Sequence, residues 1–491
     1  MKKLSGVQGR APIAEAMRSY AADGALAFHT PGHKQGRGAH ALLRELITAQ
    51  GLREEVSLME ELDDLHEPTM CIREAQILAA ELYGADETYF MINGTTGAIH
   101  TMLMAALRPG DTVLLPRNAH RSMIGAAILC GVRPVFLQPE IDEELGLAMG
   151  LTVAVVRRAI EQHPEAKALA LVYPTYYGVT FALREIAELV HAHGMLLLVD
   201  EAHGPHLKFS RHLPEQALDA GADLAAQSTH KILGSLTQTS MLHVRAGRID
   251  TERVRSAASL LQSTSPDYLL LASLDIARLQ MAEAGEELIG HAVLLAEKLR
   301  RAINKIEGLY CFGAERMDRP GATGLDLTKL TVHVRGLGIS GTEAEQVLRH
   351  RYKIQCELAD AYNVLFIISL ADTEKETAKL LAALQALAAM HRGQKSFPEV
   401  NRLPAIPASR LSPREAFFAS AECAAFSEAA GRVAAEQIMF YPPGIPVVCP
   451  GEELTQEVLD YIQAMQRLGL KVVGPQDAAL QTIRVIKEAV L

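Results

Sequence analysis

The segment TYFMINGTTGAIHTMLMAALRPGDTVLL, residues 88–115, decides the fold. TYFMI (88–92) reads as a buried strand, and NGTTG (93–97) turns the chain into a helix. RPGD (108–111) breaks that helix and TVLL (112–115) begins the next strand. The alternation runs outward from about residue 86 to residue 245. ALALVYPTYYG (168–178) is a further strand and loop. Leu183, Ile186, Ala187 and Val190 then mark one apolar helix face, with Gly194 placed to end the helix. MLLLVDEAHG (195–204) is an apolar run that stops at an acid. Such βαβ units predict an α/β protein whose mainly parallel sheet carries helices on both faces. In that architecture function gathers at the carboxyl ends of the strands.

A second pattern begins near residue 300. LYCF (309–312), KLTVHV (329–334), IQCEL (354–358) and NVLFIIS (363–369) read as strands with two helices among them. Ser340 and Glu343 fit a capping box at one helix start. The predicted division is an N-terminal segment 1–55, a large domain 56–300, a small α+β domain 301–392, a polar, proline-bearing linker 393–410 and a C-terminal domain 411–491.

With 491 residues, 49% of them apolar, the chain has material for a large core. A formal net charge of -10 argues against nucleic acid or an anionic membrane as partner. No apolar run is long enough to span a bilayer, and MKKLSGVQGR has no apolar stretch behind its basic residues. The expected location is the cytoplasm. Six cysteines without a CxxC or CxxH pair read as free thiols and give no zinc or other metal site.

Candidate chemistry lies at the strand ends. Gly94, Thr95 and Thr96 combine a tight turn, two hydroxyls and a helix N-terminus, a setting for a phosphate or an ordinary glycine turn with hydroxyl caps. His120 in RNAH is either a hydrogen-bonded structural residue or a face for a planar ring. Asp200 follows LLLV at the rim of a buried sheet, where a carboxylate needs a cation or several donors; it reads as a partner for a pyridinium nitrogen or as a helix cap. His203 is near enough in sequence to orient the acid or a cofactor. In AAQSTHKILGSLTQTS (225–240), Ser228, Thr229 and His230 lead into Lys231. A desolvated lysine there can attack a carbonyl to form a Schiff base, whereas the plain alternative is a loop lysine with solvating neighbours. Taken together, an anion cradle, a stacking His, a buried Asp and a Lys about thirty residues later are what a pyridoxal 5'-phosphate site requires.

STHKILGSLTQTS (228–240) resembles the pyridoxal-lysine signature of the Orn/Lys/Arg decarboxylases. FHTPGHKQG (28–36), LDDLHEP (62–68), RNAHRS (117–122), PTYYGV (174–179), VDEAHGPH (199–206), TSPDYLLLASLD (264–275) and YPPGIPVVCPGEE (441–453) are similar to that family's motifs, in its order. The resemblance implies a fold-type-I, aspartate-aminotransferase-like fold with a seven-stranded sheet and a C-terminal α+β domain. It implies that Lys231 holds pyridoxal phosphate, Asp200 pairs with its pyridine nitrogen and His120 stacks on its ring. Gly94, Thr95, Thr96, Ser228 and His230 lie at or near the phosphate, and His203 lies close to the cofactor. It further implies a homodimer or homotetramer with interface active sites, where Thr264 and Ser265 reach the neighbour's cofactor. An N-terminal receiver-like domain, which builds decamers in acid-stress members, is not expected here. The chain resembles the short biosynthetic form of Gram-positive bacteria, with L-arginine, then lysine, then ornithine as substrate. Tyr173 stands where many relatives have Asn, which alters the pocket.

The expected reaction is decarboxylation, arginine giving agmatine and CO2 for polyamine synthesis. Asp63, Asp64 and Glu436 are candidates for the substrate's distal cation, or are ordinary exposed acids. An aminotransferase would use the same Lys and Asp and would want an arginine such as Arg335 for the α-carboxylate. A non-catalytic pyridoxal-binding regulator would want a DNA-binding module, and neither a helix-turn-helix pattern nor a basic patch is present.

Overall fold

The computed structural model describes residues 8–393, 395, 397, 403–440 and 445–487. It divides into two compact units, one of Met1–Ala106, Leu198–Ser210 and Glu215–Ile289, the other of Leu107–Leu197, Arg211–Pro214 and Gly290–Leu491.

In the first unit, strand Glu87–Met91 pairs antiparallel with Ser240–Val244, which pairs antiparallel with Leu224–Gln227. Leu224–Gln227 runs parallel to the end of strand Leu196–Asp200, placing Ala226 opposite Asp200. Every residue of the two strands 224–227 and 240–244 is buried, which is why they read as apolar runs rather than alternating ones. Helix Gly94–Ala106 follows the first strand directly and buries Ile99, Met102 and Leu103. Helix Cys71–Tyr83 starts against Asp63, whose carboxylate accepts the N–H groups of Met70, Ile72 and Arg73.

In the second unit, Thr112–Pro116 is flanked by Arg133–Leu137 and Ala168–Val172, both parallel to it. Helix Leu183–Ala192 buries Leu183, Ile186, Ala187 and Val190 as its periodicity predicts. Gly194 follows at φ 69°, a left-handed conformation that suits glycine. The seven strands of the expected large domain are therefore present, four meeting in one unit and three in the other, with antiparallel pairing confined to the first.

The second unit also holds the antiparallel sheet Tyr310–Cys311, Lys329–His333, Asn363–Ile367 and Leu358–Ala359. Its core includes Leu330, Val332, Leu348, Val364 and Leu384. The Ser340–Glu343 capping box is formed as read. IQCEL is shorter as a strand than expected, because Lys353 ends helix Gly341–Tyr352 at φ 57° and only Leu358 of that run enters the ladder. The chain closes with strand pairs 421–425 and 482–486, a three-stranded sheet around Ile438–Phe440, and helix Gln456–Arg467 over a core of Ile438, Val458, Ile462 and Val485.

Candidate active site

Three chain segments of the first unit bring the predicted residues together. Asp200 ends its strand only 3% exposed. Its Oδ1 accepts the Ala202 N–H at 3.1 Å, and its Oδ2 accepts no hydrogen bond from the described residues. Burial pushes the carboxyl up to about 6, opposed by the Lys231 cation and the Ala202 N–H. The Ala202 bond is the start of a cap, but no helix follows, only the short 3-10 turn Leu207–Phe209. Asp200 is thus a buried carboxylate with half of its accepting capacity open.

Lys231 sits in the single turn Thr229–Ile232 that follows strand Leu224–Gln227. Its Nζ lies 2.9 Å from Nε2 of His203, a buried side chain on the loop after Asp200. Ser228 shares a short hydrogen bond with Thr95, the second residue of helix Gly94–Ala106. Thr95 also meets the Ser240 hydroxyl at 2.8 Å. Gly94 takes φ 67° and donates its N–H to Gln238 O at 2.8 Å, which sets the helix start. Thr96 is exposed, and His230 Nδ1 is 2.8 Å from Thr239 O. The buried Thr229 hydroxyl has no partner among the described residues. The donor set is an amine, an open buried carboxylate oxygen, and hydroxyls gathered at a helix N-terminus. It fits a ligand with a carbonyl, a basic ring nitrogen and a phosphate.

His120 belongs to the second unit. It caps helix Arg121–Cys130, with Nδ1 2.8 Å from Ser122 Oγ. Three residues earlier, Arg117 binds Glu452 through its two terminal guanidinium nitrogens at 2.5 and 2.8 Å and donates to Val447 O at 2.5 Å. Glu452 also accepts the Cys449 N–H at 2.7 Å, and the guanidinium lies 4.8 Å over the Phe136 ring. This pair escaped the sequence reading, although RNAHRS and CPGEE had each been singled out. Nothing in one sequence says that two motifs are partners.

The candidates for the substrate's distal cation all accept backbone N–H groups, to different extents. Asp63 accepts five backbone N–H groups, from Asp64, Thr69, Met70, Ile72 and Arg73. Asp64 accepts the His66 N–H at 2.8 Å, and Glu436 accepts those of Gln476 and Arg484, each at 2.9 Å. All three serve the backbone. Arg335, the candidate anchor of an aminotransferase, donates to Phe397 O at 2.7 Å and stacks 5.4 Å over Tyr362. Thr264 and Ser265 are exposed, while Tyr173 is buried with its ring edge-on to Phe181 at 5.4 Å. Residues 441–444 of the YPPGIP stretch lie outside the described residues.

The chain is similar to known proteins over nearly its whole length. The family model for the major domain of Orn/Lys/Arg decarboxylases matches residues 11–376, and that for their C-terminal domain matches 389–477. An arginine decarboxylase of Bacillus anthracis is 46% identical over 490 residues, covering 99% of both chains. One from Halalkalibacterium halodurans is 45% identical over 483 residues, 98% of each. Among solved structures, the lysine decarboxylase of Francisella novicida superposes with a TM-score of 0.84 at 22% identity, over 97% of this chain and 81% of that one. That likeness shows the α/β fold-type-I architecture.

Proposed function

The chain belongs to the Orn/Lys/Arg decarboxylase family, and on that premise we propose that it decarboxylates L-arginine to agmatine and CO2 with pyridoxal phosphate as cofactor. The observation that carries the choice of arginine is the 46% identity to an arginine decarboxylase across 99% of both chains. When bound, the cofactor supplies an electron sink for the pair released as the substrate's α-carboxylate leaves.

The residues divide the work around it. Lys231 Nζ is the covalent anchor, and His203 Nε2, 2.9 Å away, can take its proton so that the amine is free to attack. The open Oδ2 of Asp200 would hold the ring nitrogen in its protonated form, and a cation there would favour the ionised carboxylate that burial disfavours. Thr95, Ser228 and Thr229, with the N–H groups that open helix Gly94–Ala106, bind the phosphate; Gly94 shapes that turn, and Thr96 and His230 border it. His120 is assigned to the ring face. Of the three candidate acids for the guanidinium of arginine, Asp63 is taken up by five backbone N–H groups, so Asp64 and Glu436 are the ones with accepting capacity left. The assembly proposed is a cytoplasmic homodimer or homotetramer in which Thr264 and Ser265 approach the neighbouring site. Among the described residues no helix is long and apolar enough to cross a membrane.

The test is to supply the purified protein with pyridoxal phosphate and, separately, arginine, lysine and ornithine, following CO2 and amine. Agmatine from arginine alone is the expected result. Cadaverine or putrescine would move the substrate and keep the reaction. Conversion of the cofactor to its amine form without CO2 would overturn the reading in favour of transamination.

A further inference from the structure

Next to Asp200 and Ser228 in the chain stand two residues that the reaction does not touch, Glu201 and Gln227. Neighbours on a strand point to opposite faces, so these two lie behind the site. There they end a row of buried side chains that crosses three strands of the unit and reaches the residue after the fourth. Thr88 Oγ1 donates to His243 Nδ1 at 2.8 Å, and His243 Nε2–H donates to Gln227 Oε1 at 3.1 Å. Gln227 Nε2–H donates to Glu201 Oε2 at 2.8 Å, and the Ala217 N–H reaches Glu201 Oε1 at 2.7 Å. None of the four side chains is more than 2% exposed. Burial holds His243 neutral, its value lowered to about 3, so one ring nitrogen donates and the other accepts. The row then runs in one direction, from the Thr88 hydroxyl to Glu201, whose carboxyl is pushed up to about 8 by burial.

Gln227 is also gripped from the site face, because Ser240 Oγ donates to its backbone oxygen at 2.7 Å. Ser240 in turn meets Thr95, which meets Ser228. The side-chain bond between Gln227 and Glu201 therefore clamps together the two strand ends that carry the hydroxyl cradle and Asp200. An apolar pair would be easier to bury here, since polar groups lose hydration. What the polar pair adds is direction, as a hydrogen bond fixes separation and register where an apolar contact slides.

We propose that Glu201 and Gln227 are positioning residues for the cofactor, their mutual hydrogen bond setting the distance between Asp200 and the Thr95–Ser228 hydroxyls. This rests on the pyridoxal phosphate reading above. A rigid ligand held at its ring nitrogen and at its phosphate needs that distance right, and misplacement by about an ångström weakens both grips.

The experiment measures the pyridoxal phosphate dissociation constant, the near-ultraviolet circular dichroism of the bound cofactor, and Tm of the cofactor-free protein. Gln227→Leu should weaken cofactor binding about 10- to 100-fold and change the dichroism, as expected for losing hydrogen bonds to a buried acid. Thr88→Val breaks the row at its far end; it should lower Tm comparably and move the dissociation constant by less than about threefold. The swap Glu201→Gln with Gln227→Glu again pairs every donor with an acceptor, and should restore affinity to within about threefold of the original. Gln227→Met keeps the volume and lacks the donor; it should weaken binding as well, which provides a readout if Gln227→Leu does not fold. Undiminished affinity in a folded Gln227→Leu or Gln227→Met variant would overturn the clamp. So would a folded swap without rescue, or affinity that simply tracks Tm through Thr88→Val. Failure of the unaltered protein to take up pyridoxal phosphate would overturn the proposed function, and the clamp with it.

Discussion

Asp200 ends one strand and Ser228 follows the end of its neighbour in the same unit, held by hydrogen bonds between groups that the sheet already places side by side. His120 sits on a loop of the other unit, held by an ion pair from Arg117 to Glu452, 335 residues downstream. The first arrangement uses uncharged or locally satisfied partners, so losing one bond shifts the strand ends without parting the strands. The second buries a guanidinium and a carboxylate against each other, with side chains 10% and 1% exposed. Such a pair holds its segments firmly only while both members are present, because either one alone is a stranded charge.

The largest effect should come from the strand-end region itself. Lys231→Ala should lower kcat for arginine by at least ~10⁴-fold, since no other group can replace a covalent anchor. Retention of more than a small residue of activity would remove Lys231 from the site. The ion pair comes next. Glu452→Gln should cost about 3–5 kcal/mol in urea unfolding, and Arg117→Met with Glu452→Met should recover part of that. A Glu452→Gln protein as stable as the original would show that the two regions are not held by different physics.

Asp200 gives an effect of about 3 kcal/mol through pH. Without cofactor its carboxyl is raised from 3.8 to about 6. Between those values the folded chain binds more protons than the unfolded one, so this group's contribution to stability falls as pH rises through the window. Above about pH 6 the whole cost is present, and a cation at the ring nitrogen removes it. The Tm gained on adding pyridoxal phosphate should therefore be larger near pH 7.5 than near pH 5, by differential scanning fluorimetry. An equal gain at both would mean that Asp200 does not meet a cation. The smallest change lies away from both regions. Ser340→Ala breaks the capping box and should cost about 1 kcal/mol with kcat unaltered.

Motif order and strand–helix alternation were enough to identify the family and the α/β fold, because both are written in local residue patterns. Lys231, Asp200, Ser228, Thr95 and His203 were legible for the same reason: each lies just beyond an apolar strand, where a parallel sheet collects chemistry. IQCEL misled because its apolar residues suit a strand, while the left-handed turn at Lys353 spends most of the run leaving a helix. Asp63 looked like a free acid in sequence and is a knot of five backbone donors in space. The Arg117–Glu452 pair and the Thr88–His243–Gln227–Glu201 row could not be read at all. Composition and periodicity say which side chains are buried, but a hydrogen bond needs two particular atoms within about 3 Å and correctly aimed. Only the tertiary structure decides which distant residues meet that condition.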